Sequence, residues 1–296
     1  MGKNRSIMLG LVLLAGTAAA SDLSATGCEN NLTRAIPPRP VQAPSGSDFV
    51  RQLSGLTDDE RERAIREQLL AGNMPGFLRH LTPVHLTGEG ATSQPVDITV
   101  CVSPDYLSVG SDKDFFLVPM RLQTALTVAN RFRFSLPTPR IVDAIYAQAA
   151  THLQPQPLPA SVTMRTTGYY WEHNELVRRQ RMDLSAQLGD LTAGDKKDLV
   201  LTNRLWSFPD RVAIYGWHRQ DGTPIQPLST VHGARYADYS HGVRLVSETA
   251  YSGGHAVSLL SLLQDPRVAG ILSGEGLIRD TPHLLTTLTH CKSCKS

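Results

Sequence analysis

The chain has 296 residues, 41% of them hydrophobic and 19% charged, with 29 basic against 27 acidic side chains and a formal net charge of +2. That composition excludes wholesale disorder and can support one large domain or two small ones. A balance this close to neutral gives no electrostatic reason to seek nucleic acid or an anionic membrane surface.

The first residues read as a secretory leader: Lys3 and Arg5, an apolar run from Ile7 to Leu14, then the small residues Gly16 to Ala20. The run is much shorter than the roughly 20 helical residues needed to cross a bilayer, so residues 1–20 are expected to be cleaved after Ala20, leaving no transmembrane span. Their removal takes away Lys3 and Arg5 and brings the net charge from +2 to zero. The predicted location is secreted or periplasmic, with lipid anchoring at Cys28, which follows Ala25-Thr26-Gly27, as the alternative. Cys28, Cys101, Cys291 and Cys294 all lie beyond the leader and are free to oxidise outside the cytoplasm; Cys28–Cys101 with Cys291–Cys294 is one of the possible pairings. The tail His290-Cys291-x-x-Cys294 resembles half a metal site, but without a second cysteine pair it reads as a disulfide or a plain terminus.

Residues 21–48, with Pro37, Pro38, Pro40 and Pro44, form an extended lead-in without apolar periodicity. A globular domain is expected over 49–286, with subdomains 49–153 and 160–286 as an alternative division at the proline-rich 154–159 segment, and a Cys-x-x-Cys tail over 287–296. Thr57 and Glu60 make a capping box for the first predicted helix, with Ile65 and Leu69 on its buried face and Gly72 at its end. Pro75 opens a short turn through Leu81. Val84 to Leu86 and the alternating Val96, Ile98, Val100 and Val102, joined around Gly88 and Gly90, predict a hairpin. Phe115 to Val118 reads as a strand, Leu122 to Ala129 as a helix, and Thr138-Pro139 as the start of another through Ala149. A helix is predicted from about Tyr170 to Arg181, strands over Leu199–Leu201, Arg211–Trp217 and Val243–Val246, a helical stretch at Leu259–Leu263, and a turn-rich segment from Pro282. Irregular alternation of elements predicts an α+β fold with a mixed or antiparallel sheet and several packed helices.

Chemistry concentrates in the second half. Four of the ten histidines, His218, His232, His241 and His255, fall within 38 residues, and six of the eight tyrosines with all three tryptophans lie between Tyr169 and Tyr251. Groups able to move protons are thus interspersed with rings able to stack on a ligand. His232 or His241 is a candidate general base, with Asp238 fixing its tautomer and Lys197, Lys196 or Arg235 stabilising an oxyanion. Trp217, Arg235 and Tyr239 are candidate substrate-binding residues. Ser240 is adjacent to His241, but adjacency does not make a triad. His173, between Trp171-Glu172 and Glu175, is expected on an exposed charged helix face.

A metal version draws on His218, His232, Asp238 and His241 as donors, with zinc the expected ion. The segment from His232 through Arg235 to Asp238 resembles the histidine-to-aspartate element of zinc D-Ala-D-Ala peptidases. It is one residue shorter, its surrounding glycine and serine positions differ, and no HExxH sequence accompanies it. The resemblance implies a peptidoglycan substrate. The reading that joins these features is a secreted hydrolase acting on a cell-envelope polymer, peptidoglycan or polysaccharide; a noncatalytic envelope or carbohydrate-binding protein is the alternative.

Overall fold

The computed structural model describes residues 27–29, 32–90 and 94–290. The predicted leader, Cys291 and Cys294 lie outside the described residues. The fold is α+β, with several helices packed around two principal sheets.

The larger sheet is antiparallel and grows from the predicted hairpin. Thr82–Glu89 pairs with Pro95–Val102 in the register Thr82↔Val102 to Glu89↔Pro95, and Val246–Ser252 lies against the other edge of Pro95–Val102. His255–Ser258 and Phe134–Ser135 both pair with Val246–Ser252. The outer strand Thr82–Glu89 buries Val84 and Leu86 in alternation, whereas Pro95–Val102 is buried at every position from Ile98 onward. A central strand covered on both faces loses the alternation an edge strand keeps.

Helices begin where the sequence offers caps. Thr57 and Glu60 form the capping box of Asp58–Leu70, Thr138 caps Pro139–Gln148, and Thr166 caps Thr167–Asp183. Two helices were not expected. A helix precedes Thr57: Ser45 accepts from the Asp48 backbone N–H and starts Gly46–Leu53, whose Phe49 and Leu53 are buried. The segment after Pro282 is a helix, Thr281–Thr289, capped by Asp280 and burying Leu284, Leu285 and Leu288. In both, a short polar cap precedes an apolar stripe too brief to stand out by periodicity.

One large apolar cluster runs from Cys28 and Phe49 through Val100, Phe132 and Ile145 to Leu201, Leu245 and Leu288, and so draws on both halves of the sequence. Cys28 and Cys101 form a disulfide across 73 residues. A cysteine committed to a disulfide has no thiol to carry a lipid thioether, which sets aside lipid anchoring at Cys28. Among the described residues no helix is long and apolar enough to cross a membrane.

The second sheet positions the chemistry. Its order is Pro224–Ser229, Ile214–His218, Lys197–Leu199, His241–Gly242. The first three strands are antiparallel, and His241–Gly242 runs parallel to Lys197–Leu199, placing His241 opposite Lys197 and Gly242 opposite Asp198. The predicted strand Val243–Val246 is divided: Gly242 ends this short strand, and Val246 begins the long strand of the other sheet. Gly242 is required by close approach, since a Cβ there would lie 2.6 Å from the Tyr106 ring and 2.8 Å from the Lys196 Cβ.

Candidate functional site

The 230–240 segment is irregular backbone laid against the sheet, and such backbone is stable inside a protein only when its polar groups are paired. Each of four successive carbonyls is. Ala237 O accepts from the Tyr170 hydroxyl (2.8 Å), Asp238 O from the His241 N–H (3.1 Å), Tyr239 O from Lys196 Nζ (2.6 Å) and Ser240 O from the Lys197 N–H (2.7 Å). At the other end, His232 O accepts from the Val212 N–H at 3.0 Å. Asp238 closes the turn: its Oδ1 accepts from the backbone N–H and the hydroxyl of Ser240 at 2.8 and 2.6 Å, an Asx-type turn.

This scaffold gathers His232, Tyr236, Asp238, His241 and Lys197. The His232 ring stacks on Tyr236 with centroids 4.0 Å apart and 8° between planes, and the Tyr236 hydroxyl donates to Asp238 Oδ2 at 2.8 Å. His241 lies behind, 6.3 Å from the His232 ring and 5.7 Å from Tyr236. His241 is buried, and neither ring nitrogen has a hydrogen-bond partner among the described residues. Lys197, opposite His241 in the register, is half-buried with its ammonium 4.9 Å from the Trp217 ring centroid. Gly216 (φ 105°) and Trp217 (φ 58°) both take left-handed backbone; in a tryptophan this costs on the order of 1 kcal/mol, and it sets the indole beside Lys197.

The electrostatics follow from burial. Loss of water lowers the His241 value to about 4, and Lys197, His232 and Lys196 oppose a further positive charge there. Burial likewise holds His232 below its ordinary 6.5, Lys197 and Arg211 adding to the effect. Both imidazoles are therefore uncharged near neutral pH. Burial alone would raise Asp238, but the field of His241, the Ser240 hydrogen bonds and Lys197 outweigh it and bring the carboxyl to about 2.

Several expectations are revised by these contacts. Asp238 does not hydrogen-bond to a histidine; its oxygens are occupied by Ser240 and Tyr236, and it reaches His232 only through the tyrosine ring. His218 stands apart, with Nε2 3.0 Å from Asp143 and its ring stacked on Tyr146 at 4.6 Å. Trp217 and Tyr239 are only 5% and 2% exposed and wall the site instead of offering open platforms. Arg235 is tied to Asp59 at 2.9 and 3.0 Å. Ser240 is buried and donates to Asp238, unlike a nucleophile paired with a base.

Zinc fits this arrangement poorly. Among the described residues no three His, Cys, Asp or Glu side chains are placed to hold one ion. His218 is engaged elsewhere, the Asp238 oxygens are already used by three donors, and the lysine opposite His241 brings positive charge to the place a cation would occupy. The four proposed donors thus do not form a zinc set.

Sequence reasoning missed Tyr236 as the link between His232 and Asp238, and placed His173 on the wrong face. His173 is buried, its Nδ1 3.0 Å from Lys196 Nζ. The signal was present: Tyr170, His173, Asn174 and Val177 share one helical stripe. No protein-family model, curated protein or solved structure matches this chain.

Proposed function

We propose that the chain is an exported hydrolase of a cell-envelope polymer, working by metal-independent acid–base chemistry at His232 and Lys197. The observation that carries this reading is the His232–Tyr236–Asp238 relay: an uncharged, half-buried imidazole stacked on a ring that a buried carboxylate anchors, with Lys197 on the strand opposite His241. His232 would take a proton from the attacking water and return it to the leaving group, while Lys197 would face the negative charge developing on the attacked oxygen. Tyr236, Asp238 and His241 position these two groups. Support for export comes from the leader-like first residues and the Cys28–Cys101 disulfide, a bond that persists in oxidising compartments.

The test is product formation by the full chain on purified peptidoglycan and on neutral and acetylated polysaccharides, with and without a chelator. H232A and K197M should each lower turnover by about 100-fold while remaining folded, and the chelator should have no effect. A chelator-sensitive rate would restore the metal reading. Unchanged turnover in both folded variants would remove these residues from the chemistry. The noncatalytic alternative is favoured by one observation, the saturation of both Asp238 oxygens within the protein, and it predicts calorimetric binding of polymer fragments without turnover.

A further inference from the structure

Arg211 stands at the peptide bond that leads into His232. Its backbone bridges Gly233 in antiparallel register, the Val212 N–H donates to the His232 carbonyl at 3.0 Å, and Arg211 Nη1 donates to the Val231 carbonyl at 2.7 Å. That bond fixes one part of the guanidinium. Among the described residues the group makes no other hydrogen bond, and its side chain is 41% exposed. Its field reaches the ring: burial first, and then Lys197 and Arg211, oppose protonation of His232. A guanidinium held at one nitrogen and open to water at another has already lost much of the freedom that capturing a carboxylate would cost.

The other charges around His232 and Tyr236 are already paired. Arg165, over the Tyr236 ring, binds Asp58, and Arg235 binds Asp59 at 2.9 and 3.0 Å. Both Asp238 oxygens are taken by Ser240 and Tyr236. The carboxylate beside Arg211 is Asp210, with Oδ1 4.0 Å from Nε and a side chain 57% exposed; an ion pair of that length in water is worth little. The charge left open next to the base is therefore positive, and it sits on a planar fork of donors that a carboxylate matches better than a neutral hydroxyl does.

We propose that Arg211 is a specificity-determining residue of the hydrolase: through Nη2 it takes a carboxylate of the envelope polymer and so seats the bond to be cleaved at His232. The proposal rests on the hydrolytic reading above and adds the substrate class, an anionic polymer. Such a carboxylate is carried by a uronate sugar and by a peptidoglycan stem peptide, so both sources are probed.

The experiment measures kcat and KM of the full chain on polygalacturonate and on peptidoglycan, each in its native form and with its carboxylates amidated. In at least one of the two pairs the wild type should prefer the native form by about tenfold or more in kcat/KM, with the difference lying in KM, and the pair in which it does so identifies the source. R211M should abolish that preference. R211K, which keeps the charge and lacks the fork, should keep part of it and decides the matter if R211M fails to fold. An arginine that served only to hold Val231 in place would instead affect native and amidated forms alike. Calorimetry with soluble fragments of the same polymers on H232A and H232A/R211M separates this proposal from the hydrolytic reading. If the wild type turns over no polymer, yet native fragments bind H232A about tenfold more tightly than amidated ones and the difference is gone in H232A/R211M, the chemistry fails and the role of Arg211 stands. No preference for the native form in turnover or binding, equal losses on both forms in R211M, or the full wild-type preference in folded R211M, or in R211K where R211M does not fold, overturns the proposal.

Discussion

Lys196 Nζ lies 3.0 Å from His173 Nδ1, both groups within the protein interior, and the same ammonium donates to the Tyr239 carbonyl at 2.6 Å. Burial, with Lys196 adding to it, holds His173 well below its ordinary 6.5, so the ring is neutral, its Nδ1 accepts from the lysine and its proton sits on Nε2. A helix side chain thereby fixes the loop that carries Asp238 and His241.

We predict that K196M destabilises the protein by about 2–4 kcal/mol at neutral pH, because the Tyr239 carbonyl and His173 Nδ1 lose their donor where water cannot replace it. Burial brings Lys196 down from 10.5 to about 8. The folded state binds fewer protons than the unfolded chain between those values, so wild-type stability rises with pH over that window. Urea denaturation from pH 7 to 10.5 should show this rise in the wild type and a smaller one in K196M, where only Lys197, also lowered by burial, still contributes. Equal slopes would refute the assignment.

His241 gives the opposite end of the pH profile. Its folded value of about 4 lies below the ordinary 6.5, so its contribution is fully present above 6.5 and is lost as pH falls toward 4. The loss is on the order of 3 kcal/mol. H241F should lose that share of the slope measured by denaturant midpoint against pH, with His173 and His232 supplying a residual slope and buried Asp198, raised to about 6, opposing it. Equal slopes in the wild type and H241F between pH 6.5 and 4 would contradict the burial of a neutral His241.

The relay through Tyr236 separates ring from hydroxyl. Y236F keeps the stack on His232 and loses the bond to Asp238, whereas Y236A loses both. Turnover is expected to fall by about 10-fold in Y236F, near the lower value of one hydrogen bond to a charged group, and by about 100-fold in Y236A. The acidic limb of the rate profile should move in Y236A as His232 gains access to water. Identical losses and unmoved pH profiles in the two variants would mean that the stack does not position the base.

The Cys28–Cys101 disulfide closes a 73-residue span, and C28S/C101S is expected to lose about 2–5 kcal/mol of stability. Thermal melts with and without reductant check this: the reductant should lower the wild-type midpoint and leave the double variant unmoved.

Much of the local architecture was legible in the sequence because it rests on local physics. The Thr57–Glu60 capping box, Thr138-Pro139 and the alternation of Val96 to Val102 each commit a few residues to one backbone conformation through contacts within the same segment. The cluster of His232, Asp238 and His241 was also visible, as residue types able to carry charge and protons. Their partners were not. Tyr236 carries no signal in the sequence because the link it makes depends on ring geometry, and His218 is close to the others along the chain but apart from them in space. Strand pairing decided otherwise: it set His241 opposite Lys197, while His218 came to rest against Tyr146 and Asp143 from another helix. The sequence alone therefore determined the helices and strands that local caps and alternation mark, and where the ionisable groups concentrate. Tertiary structure decided which of those groups meet and which are stripped of water, because burial and charge–charge distance belong to the packed chain and have no value along an extended one.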